Sequence, residues 1–390
     1  MTHNLPPARV LDLTRLMRRA GRVLTGIDRV ELAYLKAVLA ASVPAFALIR
    51  TQLGYILLDQ AGMEELVTLL CSSVSSGPTA AGKKRIWRMA RQMAVGRVPP
   101  ALLGYMLRRH VPRGAAYLNI GHANLTDRVL RTMKDVINAP IAVFIHDVIP
   151  LEFPDYQRDS RVAWFSEMIA RVARYSDLII YNSQDTARRA ALQMAEPPAS
   201  IVAHLGTDVC TPAPLELPQG LPPETPFFVC VGTIEPRKNH AFLLDIWEEM
   251  GKDAPALVIA GSRGWKNEAV FARLDALPKG APIYEVSGLS DGALAALMKA
   301  SSGCLFPSHA EGYGLPAIEA VALGCPVIVN DLDVFREVLA DIPVYVSVSD
   351  RYLWIDTVKK MSQVKTQASE IQNFHPPTWA DHFKIVLRLI

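Results

Sequence analysis

Short apolar runs alternate with longer segments of helical length along the whole chain of 390 residues. Thirteen of these runs have the length of a buried strand. In chain order they are RVLDLT, AFALIRT, YILLD, AAYLNI, IAVFIHD, DLIIYNS, SIVAHLG, FFVCVGT, ALVIAG, IYEVSG, GCLFPS, PVIVN and PVYVS. Apolar strands that alternate with helices are typical of parallel sheets covered by helices on both faces. The sequence therefore predicts an α/β protein.

A proline-rich stretch divides the predicted strands into two groups. Six prolines lie within residues 211–226, and proline continues neither a helix nor a central strand. A chain of this length, with half of its residues hydrophobic, also exceeds the usual size of a single core. We expect an N-terminal Rossmann-like domain at residues 1–210, a linker at 211–226, a second Rossmann-like domain at 227–365 and a terminal segment at 366–390.

The composition argues against several classes of protein. The five cysteines are scattered without a C-x-x-C pair, which predicts reduced thiols and neither a disulfide framework nor a zinc site. The N-terminal residues lack the charged-then-apolar order of a signal peptide. The longest apolar stretch, residues 37–49, is too short to span a bilayer and contains Pro44. We therefore expect a cytoplasmic protein.

Two glutamates eight positions apart, Glu311 and Glu319, flank a glycine-rich turn. The run before the turn predicts a strand, and Pro316 suits the first turn of a following helix, where its missing N–H is not needed. That helix start, at Gly314 and Leu315, would offer free N–H groups and a partial positive charge to a phosphate. The carboxylates can accept hydrogen bonds from sugar hydroxyls. The spacing alone also fits two solvated carboxylates, but the strand and the turn favour a site for a nucleotide-sugar diphosphate.

Two adjacent cations, Arg237 and Lys238, follow the apolar run FFVCVGT, which ends at Thr233. Adjacent cations at a turn are ordinarily a solvated corner. At a strand end they could instead neutralise a diphosphate through charge-assisted hydrogen bonds worth about 1.5–3 kcal/mol each. We therefore predict that Thr233, Arg237 and Lys238 contribute to the site for the nucleotide-sugar diphosphate.

The N-terminal half offers two further candidates. His146 directly follows an apolar run, and its neutral imidazole could bond a sugar hydroxyl or a diphosphate, although a histidine there is more often structural. Asp147, which comes next, could cap the turn instead. Gly26 follows the first strand and a basic loop, where glycine would allow a phosphate to approach the next helix start.

These segments resemble the motifs of the retaining glycosyltransferases of family 4. The resemblance extends over nearly the whole chain and is strongest from 141 to 340. It implies a GT-B fold, in which two Rossmann-like domains face a central cleft and a terminal helix packs back on the first domain. Open α/β sheets bind ligands at the carboxyl ends of their strands, where these motifs lie.

The resemblance also implies a role for each candidate residue. Glu311 would contact the donor sugar and Glu319 the nucleotide ribose, while residues 283–298 would contact the nucleobase through their backbone. The implied catalytic residues are Glu311, His146, Arg237 and Lys238. The implied nucleotide-binding residues are Gly26, Thr233, Arg237, Lys238, Gly314, Leu315 and Glu319. Around Gly26 the chain departs from the family, because the loop has fewer glycines and Asp28 stands where a small residue is common.

The variants TIEPRKNH and HDVIPLEFPDY are similar to those of mannosyltransferases in bacterial surface-polysaccharide synthesis. The similarity favours GDP-mannose as donor, leaves a UDP-sugar open, and implies a lipid-linked or oligosaccharide acceptor. No cofactor and no metal are expected. Asp331 and Asp333 form a D-L-D segment, which is similar to the D-x-D that holds a metal in the other large glycosyltransferase fold. In the resembled family, however, this segment is the variable loop before an acidic position, here Glu337, and no metal is required. An epimerase or phosphorylase of the same fold, or a non-catalytic assembly subunit, is the alternative.

A long segment without carboxylates, residues 66–126, contains nine cations between Lys83 and Arg113. Within residues 83–109 the cations are interleaved with Trp87 and other apolar side chains, and Pro99 and Pro100 predict two short amphipathic helices. Such helices favour anionic membrane surfaces. A solvated face is the simplest alternative, and nucleic acid is disfavoured because no nucleic-acid motif accompanies the cations. We expect a peripheral protein on the inner face of the cell membrane.

Overall fold

The protein divides into two compact units, each built around one sheet. The computed structural model describes residues 5–75, 79–157, 159–363 and 374–390. Unit 1 contains Met1–Val148, Ala163–Gly206 and Thr378–Ile390. Unit 2 contains Ile149–Val162 and Thr207–Pro377. The linker predicted at 211–226 therefore belongs to unit 2, where the Ala213 N–H donates to the carbonyl oxygen of Gly292 at 2.9 Å.

Unit 1 contains an eight-stranded sheet in the order β4-β3-β2-β1-β5-β6-β7-β8. Its strands are β1 (Arg9–Asp12), β2 (Ala45–Arg50), β3 (Tyr55–Leu58), β4 (Ala94–Val98), β5 (Ala116–Asn119), β6 (Ile141–Ile145), β7 (Leu178–Tyr181) and β8 (Ser200–Val202). Strand β3 is antiparallel to both of its neighbours, and the other pairs are parallel. The four residues between β2 and β3 are too few for the crossover that a parallel pair needs. The expectation of an all-parallel sheet is therefore wrong at this edge.

Unit 2 contains a six-stranded parallel sheet in the order β11-β10-β9-β12-β13-β14. Its strands are β9 (Phe227–Val231), β10 (Ala256–Ala260), β11 (Ile283–Val286), β12 (Gly303–Phe306), β13 (Val327–Val329) and β14 (Val344–Tyr345). Its core packs the buried side chains of β9 and β10 against Trp247 and Trp354. The indole N–H of Trp247 donates to the carbonyl oxygen of Pro255 at 2.7 Å, so burial leaves this polar group satisfied.

Helices connect the strands in both units. They are α1 (Thr14–Arg19), α2 (Gly26–Ala40), α3 (Gln60–Ser75), α4 (Ala80–Gln92), α5 (Leu103–His110), α6 (Asp127–Ile137), α7 (Ile149–Glu152), α8 (Asp159–Tyr175), α9 (Gln184–Ala191), α10 (His240–Met250), α11 (Glu268–Asp275), α12 (Asp291–Ala300), α13 (Leu315–Ala322), α14 (Asp333–Leu339), α15 (Arg351–Gln363) and α16 (Trp379–Val386). None of the described helices is both long and apolar enough to cross a membrane.

Two elements differ from the sequence interpretation. Helix α1 lies where we expected a basic loop, because Asp12 accepts the Thr14 N–H at 3.0 Å and starts a turn. The helices predicted within residues 83–109 are present as α4 and α5, but strand β4 lies between them. The sequence of β4 is AVGRV, in which Gly96 and Arg97 interrupt the apolar residues, and β4 is a partly exposed edge strand.

Helix α16 belongs to unit 1. The ring of His382 lies 2.8 Å from the hydroxyl of Tyr34, and the Arg9 guanidinium donates to the carbonyl oxygens of Leu387 and Ile390. Arg9 thereby caps the carboxyl end of the helix. Residues 366–373 of the predicted terminal segment lie outside the described residues.

Candidate functional site

Two strand-end loops of unit 2 meet beside the middle of its sheet. Strands β9 and β12 are parallel neighbours, so their carboxyl ends lie together. The loop after β9 carries Arg237 and Lys238 in a 3-10 turn, and the loop after β12 carries Glu311. The His309 N–H donates to the Arg237 carbonyl oxygen at 2.9 Å, and the Asn239 amide donates to the Pro307 carbonyl oxygen at 3.2 Å. Backbone and side-chain contacts therefore join the two loops.

Glu311 is the acceptor at the centre of the site. It is only 6% exposed and accepts three hydrogen bonds. The donors are Arg237 Nη1 at 2.7 Å, Lys238 Nζ at 2.6 Å and Ser308 Oγ at 2.6 Å. The predicted residues Arg237, Lys238 and Glu311 thus form one ion cluster, although Glu311 is separated from the two cations by more than 70 positions.

The cluster fixes Glu311 as a carboxylate. Burial by itself raises the pKa of Glu311, but the charges of Lys238 and Arg237 outweigh it, together with hydrogen bonds from Lys238 and Ser308. The resulting pKa is about 2. Glu311 is therefore ionised over the whole range in which proteins ordinarily function, and it is a weak base and nucleophile.

Arg237 is held by carboxylates on two sides. Its Nη1 donates to Glu311 and to the Ala310 carbonyl oxygen, the latter at 2.8 Å. Its Nε and Nη2 donate to Glu235 Oε1 at 3.1 and 2.6 Å. Glu235 was not among the residues predicted from the sequence, although it precedes Arg237 by two positions in the same segment. Ser308 was not predicted either, and its carbonyl oxygen accepts a hydrogen bond from Asn330 at 2.8 Å.

Lys238 is buried but has hydrogen-bonding capacity left. An ammonium group carries three N–H donors, and Glu311 is its one acceptor among the residues that the structure describes. Gly232, with φ of +142°, lies beside it, and a Cβ there would come within 3.1 Å of Lys238 Cε. The backbone conformation thus favours glycine, and a Cβ would also crowd the lysine side chain. Burial and then Lys238 lower the pKa of His240 to about 4, so this neighbour is neutral.

Helix α13 begins directly after the loop of Glu311. Gly314 precedes its first residue, Leu315, with φ of +89°, and a Cβ at Gly314 would lie 2.6 Å from the Phe335 ring. Glu319 lies about one turn inside the helix and is half-buried. The strand, turn and helix start predicted here are confirmed, whereas the ligand contacts of Leu315 and Glu319 stay predictions.

Thr233 lies in the loop after β9 and is exposed. It directly follows Gly232 and precedes Ile234, which forms an isolated bridge with Arg263 in the loop after β10. The structure therefore places Thr233 in the same strand-end loop as Arg237 and Lys238, and its contact with a donor stays a prediction.

The two N-terminal candidates lie in unit 1. His146, at the end of β6, is 6% exposed, and its Nε2 lies 2.8 Å from the Ile120 carbonyl oxygen. Burial, followed by the neighbouring His122, lowers its pKa well below the ordinary value, so the ring is neutral and Nε2–H donates to Ile120. Gly26 is the first residue of α2. A donor contact by either residue stays a prediction.

Asp28 accounts for the unusual loop before α2. Its fully buried carboxylate accepts hydrogen bonds from the N–H of Thr25 at 2.8 Å and the hydroxyl of Thr25 at 2.7 Å. Arg15 and Arg19 also donate to it. An acidic residue therefore fixes the loop against α1, in the position where the resembled family commonly has a small residue.

The D-L-D segment has a structural explanation. Asp331 accepts hydrogen bonds from Arg336 Nε at 2.8 Å and from Arg336 Nη2 at 3.0 Å, and this partner lowers its pKa. Asp333 begins α14. Within the described ranges, no group of three or more histidines, cysteines and carboxylates is placed to hold a metal ion.

Comparison with known proteins gives a family match for the unit that carries the ion cluster. Residues 217–365 match the family described as Glycosyl transferases group 1. The serotype-specific mannosyltransferase WbdA of Escherichia coli is 32% identical over 217 residues, which cover 50% of this chain and 26% of WbdA. The O-antigen chain mannosyltransferase RfbU of Salmonella typhimurium is 31% identical over 152 residues, which cover 38% of this chain and 42% of RfbU. The chain thus spans about a quarter to under half of these relatives.

Among solved structures, HepE of Anabaena in complex with UDP-glucose is similar to this chain over most of its length. The TM-score is 0.64 and the identity is 13%, with coverage of 97% of this chain and 94% of HepE. At this identity the likeness shows the fold alone. The two α/β units, each with its own sheet, therefore have the GT-B fold.

Proposed function

We propose that this protein is a retaining glycosyltransferase that moves a hexose from a nucleotide diphosphate to a hydroxyl group of a saccharide acceptor. The observation that supports it most is the cluster of Arg237, Lys238 and Glu311 at the carboxyl ends of β9 and β12. The two cations can stabilise a departing diphosphate. The family match over residues 217–365, which contain this cluster, supports the same reaction.

The state of Glu311 favours a mechanism without a covalent intermediate on this residue. Its carboxylate accepts three hydrogen bonds and has a pKa of about 2, so it is poorly suited to attack the anomeric carbon. We infer a same-face displacement. The bond between the anomeric carbon and the diphosphate oxygen breaks as the acceptor oxygen approaches from the same face, and the acceptor proton passes to the leaving diphosphate. Lys238 stabilises the charge that develops there.

For the donor we propose GDP-mannose, because the relatives WbdA and RfbU are named as mannosyltransferases. A UDP-sugar is the second candidate, because HepE was solved with UDP-glucose. The acceptor would be a lipid-linked or oligosaccharide chain of a surface polysaccharide, and the reaction would need no metal. We also propose that His146 and Gly26 contact the donor.

We also propose that the face formed by α4, β4 and α5 docks on an anionic membrane. The nine cations between Lys83 and Arg113 are all exposed. Met93, Leu102 and Tyr105 are also exposed, at 38%, 49% and 54%. Cations beside exposed apolar side chains complement a surface of anionic headgroups over acyl chains. A protein on the inner face of the membrane would reach a lipid-linked acceptor there.

The function can be tested with a ligand screen and a transfer assay. Thermal unfolding would be measured with GDP, UDP, ADP and their sugars, since a ligand at a hundred times its Kd stabilises by about 2.7 kcal/mol. We expect GDP and GDP-mannose to raise the Tm most, and transfer in EDTA to give an α-linked mannoside from the α-linked donor. The variant with Arg237→Ala and Lys238→Ala should lose transfer and bind GDP far more weakly, with little change for guanosine.

Other results would contradict the proposal. A protein that no nucleoside diphosphate stabilises has no donor site. Product released without acceptor would indicate an epimerase, and dependence on inorganic phosphate would indicate a phosphorylase. Transfer restored only by manganese or magnesium would exclude the metal-free reaction.

A further inference from the structure

The Arg237 guanidinium is already committed to protein acceptors. An arginine has five N–H donors. Four hydrogen bonds of Arg237 are made to Glu235, Glu311 and Ala310. Arginine binds a phosphate best through two parallel N–H donors on one edge of the guanidinium. Bidentate binding of a diphosphate therefore requires one of these acceptors to leave.

The three acceptors differ in how firmly they are held. Glu311 also accepts hydrogen bonds from Lys238 and Ser308. The Ala310 oxygen belongs to the backbone of a loop that is joined to the turn of Arg237. The carboxylate of Glu235 accepts hydrogen bonds from Arg237 alone among the described residues. Glu235 is therefore the acceptor that can be exchanged with the fewest broken contacts.

The balance of charges in the cluster also indicates that Glu235 is the acceptor that leaves. Arg237 and Lys238 are balanced by Glu235 and Glu311, so the cluster is neutral without a ligand. A diphosphate brings at least two negative charges to this site. Both carboxylates would oppose it, and the Nε and Nη2 edge that Glu235 occupies is an edge suited to a phosphate.

We propose that Glu235 is an internal counterion that competes with the donor diphosphate for Arg237. In the absence of ligand it holds the guanidinium, and a bound diphosphate takes its place on the Nε and Nη2 edge. After transfer, Glu235 takes back the guanidinium and favours release of the nucleoside diphosphate. The inference rests on the proposed function, because it assigns the competitor within the same site.

The test measures binding of inorganic pyrophosphate, GDP and UDP to the parent protein and to Glu235→Gln by titration calorimetry at fixed salt. Pyrophosphate reports on the diphosphate site without a nucleobase. Because the variant removes a competing charge, we expect each probe that the parent binds to bind about tenfold more tightly, which corresponds to about 1.4 kcal/mol. Product inhibition by the same nucleoside diphosphate should strengthen in proportion.

Glu248→Gln is the matched control, since Glu248 pairs with Arg273 in the same unit and is mostly exposed. It should bind every probe like the parent. Glu235→Ala provides a second neutral variant in case the glutamine disturbs folding, and it should shift affinity in the same direction. Folded variants at Glu235 that bind equally or more weakly would overturn the inference and make Glu235 a positioning residue. If the parent itself binds none of the probes, the donor site is refuted and the inference with it.

Discussion

Glu311 and Glu31 are both buried carboxylates, yet their surroundings have opposite effects. Two cations hold the pKa of Glu311 at about 2 against the effect of burial. Glu31, in α2, is fully buried, and no hydrogen bond of normal geometry reaches either of its oxygens within the described residues. Its nearest cation is Arg15, whose Nε lies 3.9 Å away and bonds Asp28 at 3.1 Å instead. Burial therefore raises the pKa of Glu31 well above its ordinary value, and Arg15 opposes this effect only in part.

The raised pKa of Glu31 predicts that the free energy of unfolding decreases as the pH rises. The folded protein keeps the Glu31 proton over a range in which the unfolded chain, with the ordinary value of 4.5, has lost it. The free energy of unfolding therefore decreases as the pH rises above 4.5 through the folded pKa. Glu31→Gln cannot ionise, and we expect it to raise the free energy of unfolding at pH 8 by on the order of 1–3 kcal/mol, with little effect near pH 4.5.

Denaturant unfolding at both pH values would measure this difference. Glu65→Gln is the control, because Glu65 is an exposed glutamate of the same unit. A Glu31→Gln variant that is less stable than the parent at pH 8 would show that the carboxylate is ionised and stabilising.

At the scale of elements, the sequence predicts those strands whose own residues form an apolar run. All thirteen apolar runs form strands, because each is a short apolar run of strand length that its own sequence identifies. Strand β4 was not predicted, because AVGRV forms a strand only through its pairing with β3. The same limit applies to the site. Arg237 and Glu311 are recognisable from their own segments, whereas the hydrogen bond that joins them depends on a contact across two loops. Glu235 lies in the same segment as Arg237, but its pairing with the guanidinium is visible only in the folded turn.

Helix α4 is the element on which the membrane proposal can be tested. Lys84, Arg88 and Arg91 are exposed on it, and changing all three to glutamate replaces three attractions with three repulsions. At about 1 kcal/mol per charge, sedimentation with anionic liposomes should fall steeply at low salt. Transfer to a short soluble acceptor should stay near the parent level, because the ion cluster of unit 2 is unchanged.

The control for α4 reverses Lys252, Lys279 and Lys299, three exposed lysines of unit 2. It changes the net charge equally and should leave sedimentation much closer to that of the parent. Equal losses in both variants would mean that total charge, and not the face of α4, β4 and α5, governs binding. If the parent bound nucleic acid instead of liposomes and the triple variant lost this binding, the face would be assigned to nucleic acid.

At the scale of the molecule, the two units are not continuous in sequence. Residues 149–162 and 378–390 each belong to a different unit from the residues that precede them. The first assignment reflects contacts such as the indole N–H of Trp265, which donates to the Tyr156 carbonyl oxygen at 2.9 Å, and the ring of Tyr156 stacked 5.7 Å from His309. Contacts between residues more than a hundred positions apart leave no local pattern. The sequence therefore shows the proline-rich stretch, but it does not show that residues 149–162 and 378–390 belong to a different unit from the residues before them.

The discontinuity of unit 1 predicts how the protein responds to loss of residues 378–390. His382, Val386 and Ile390 are buried, and the ring of Trp379 packs over Gly206, where a Cβ would have no room. Truncation after Pro377 removes this apolar area and exposes the surface around Tyr34, at a cost on the order of 5 kcal/mol. We expect the unfolding transition of unit 1 to fall by roughly 10 °C or more, while stabilisation of unit 2 by nucleoside diphosphate persists. Calorimetry with and without ligand would separate the two effects, and Lys384→Ala, an exposed change on α16, should leave both transitions in place. Equal loss in both transitions would show that the two units unfold as one.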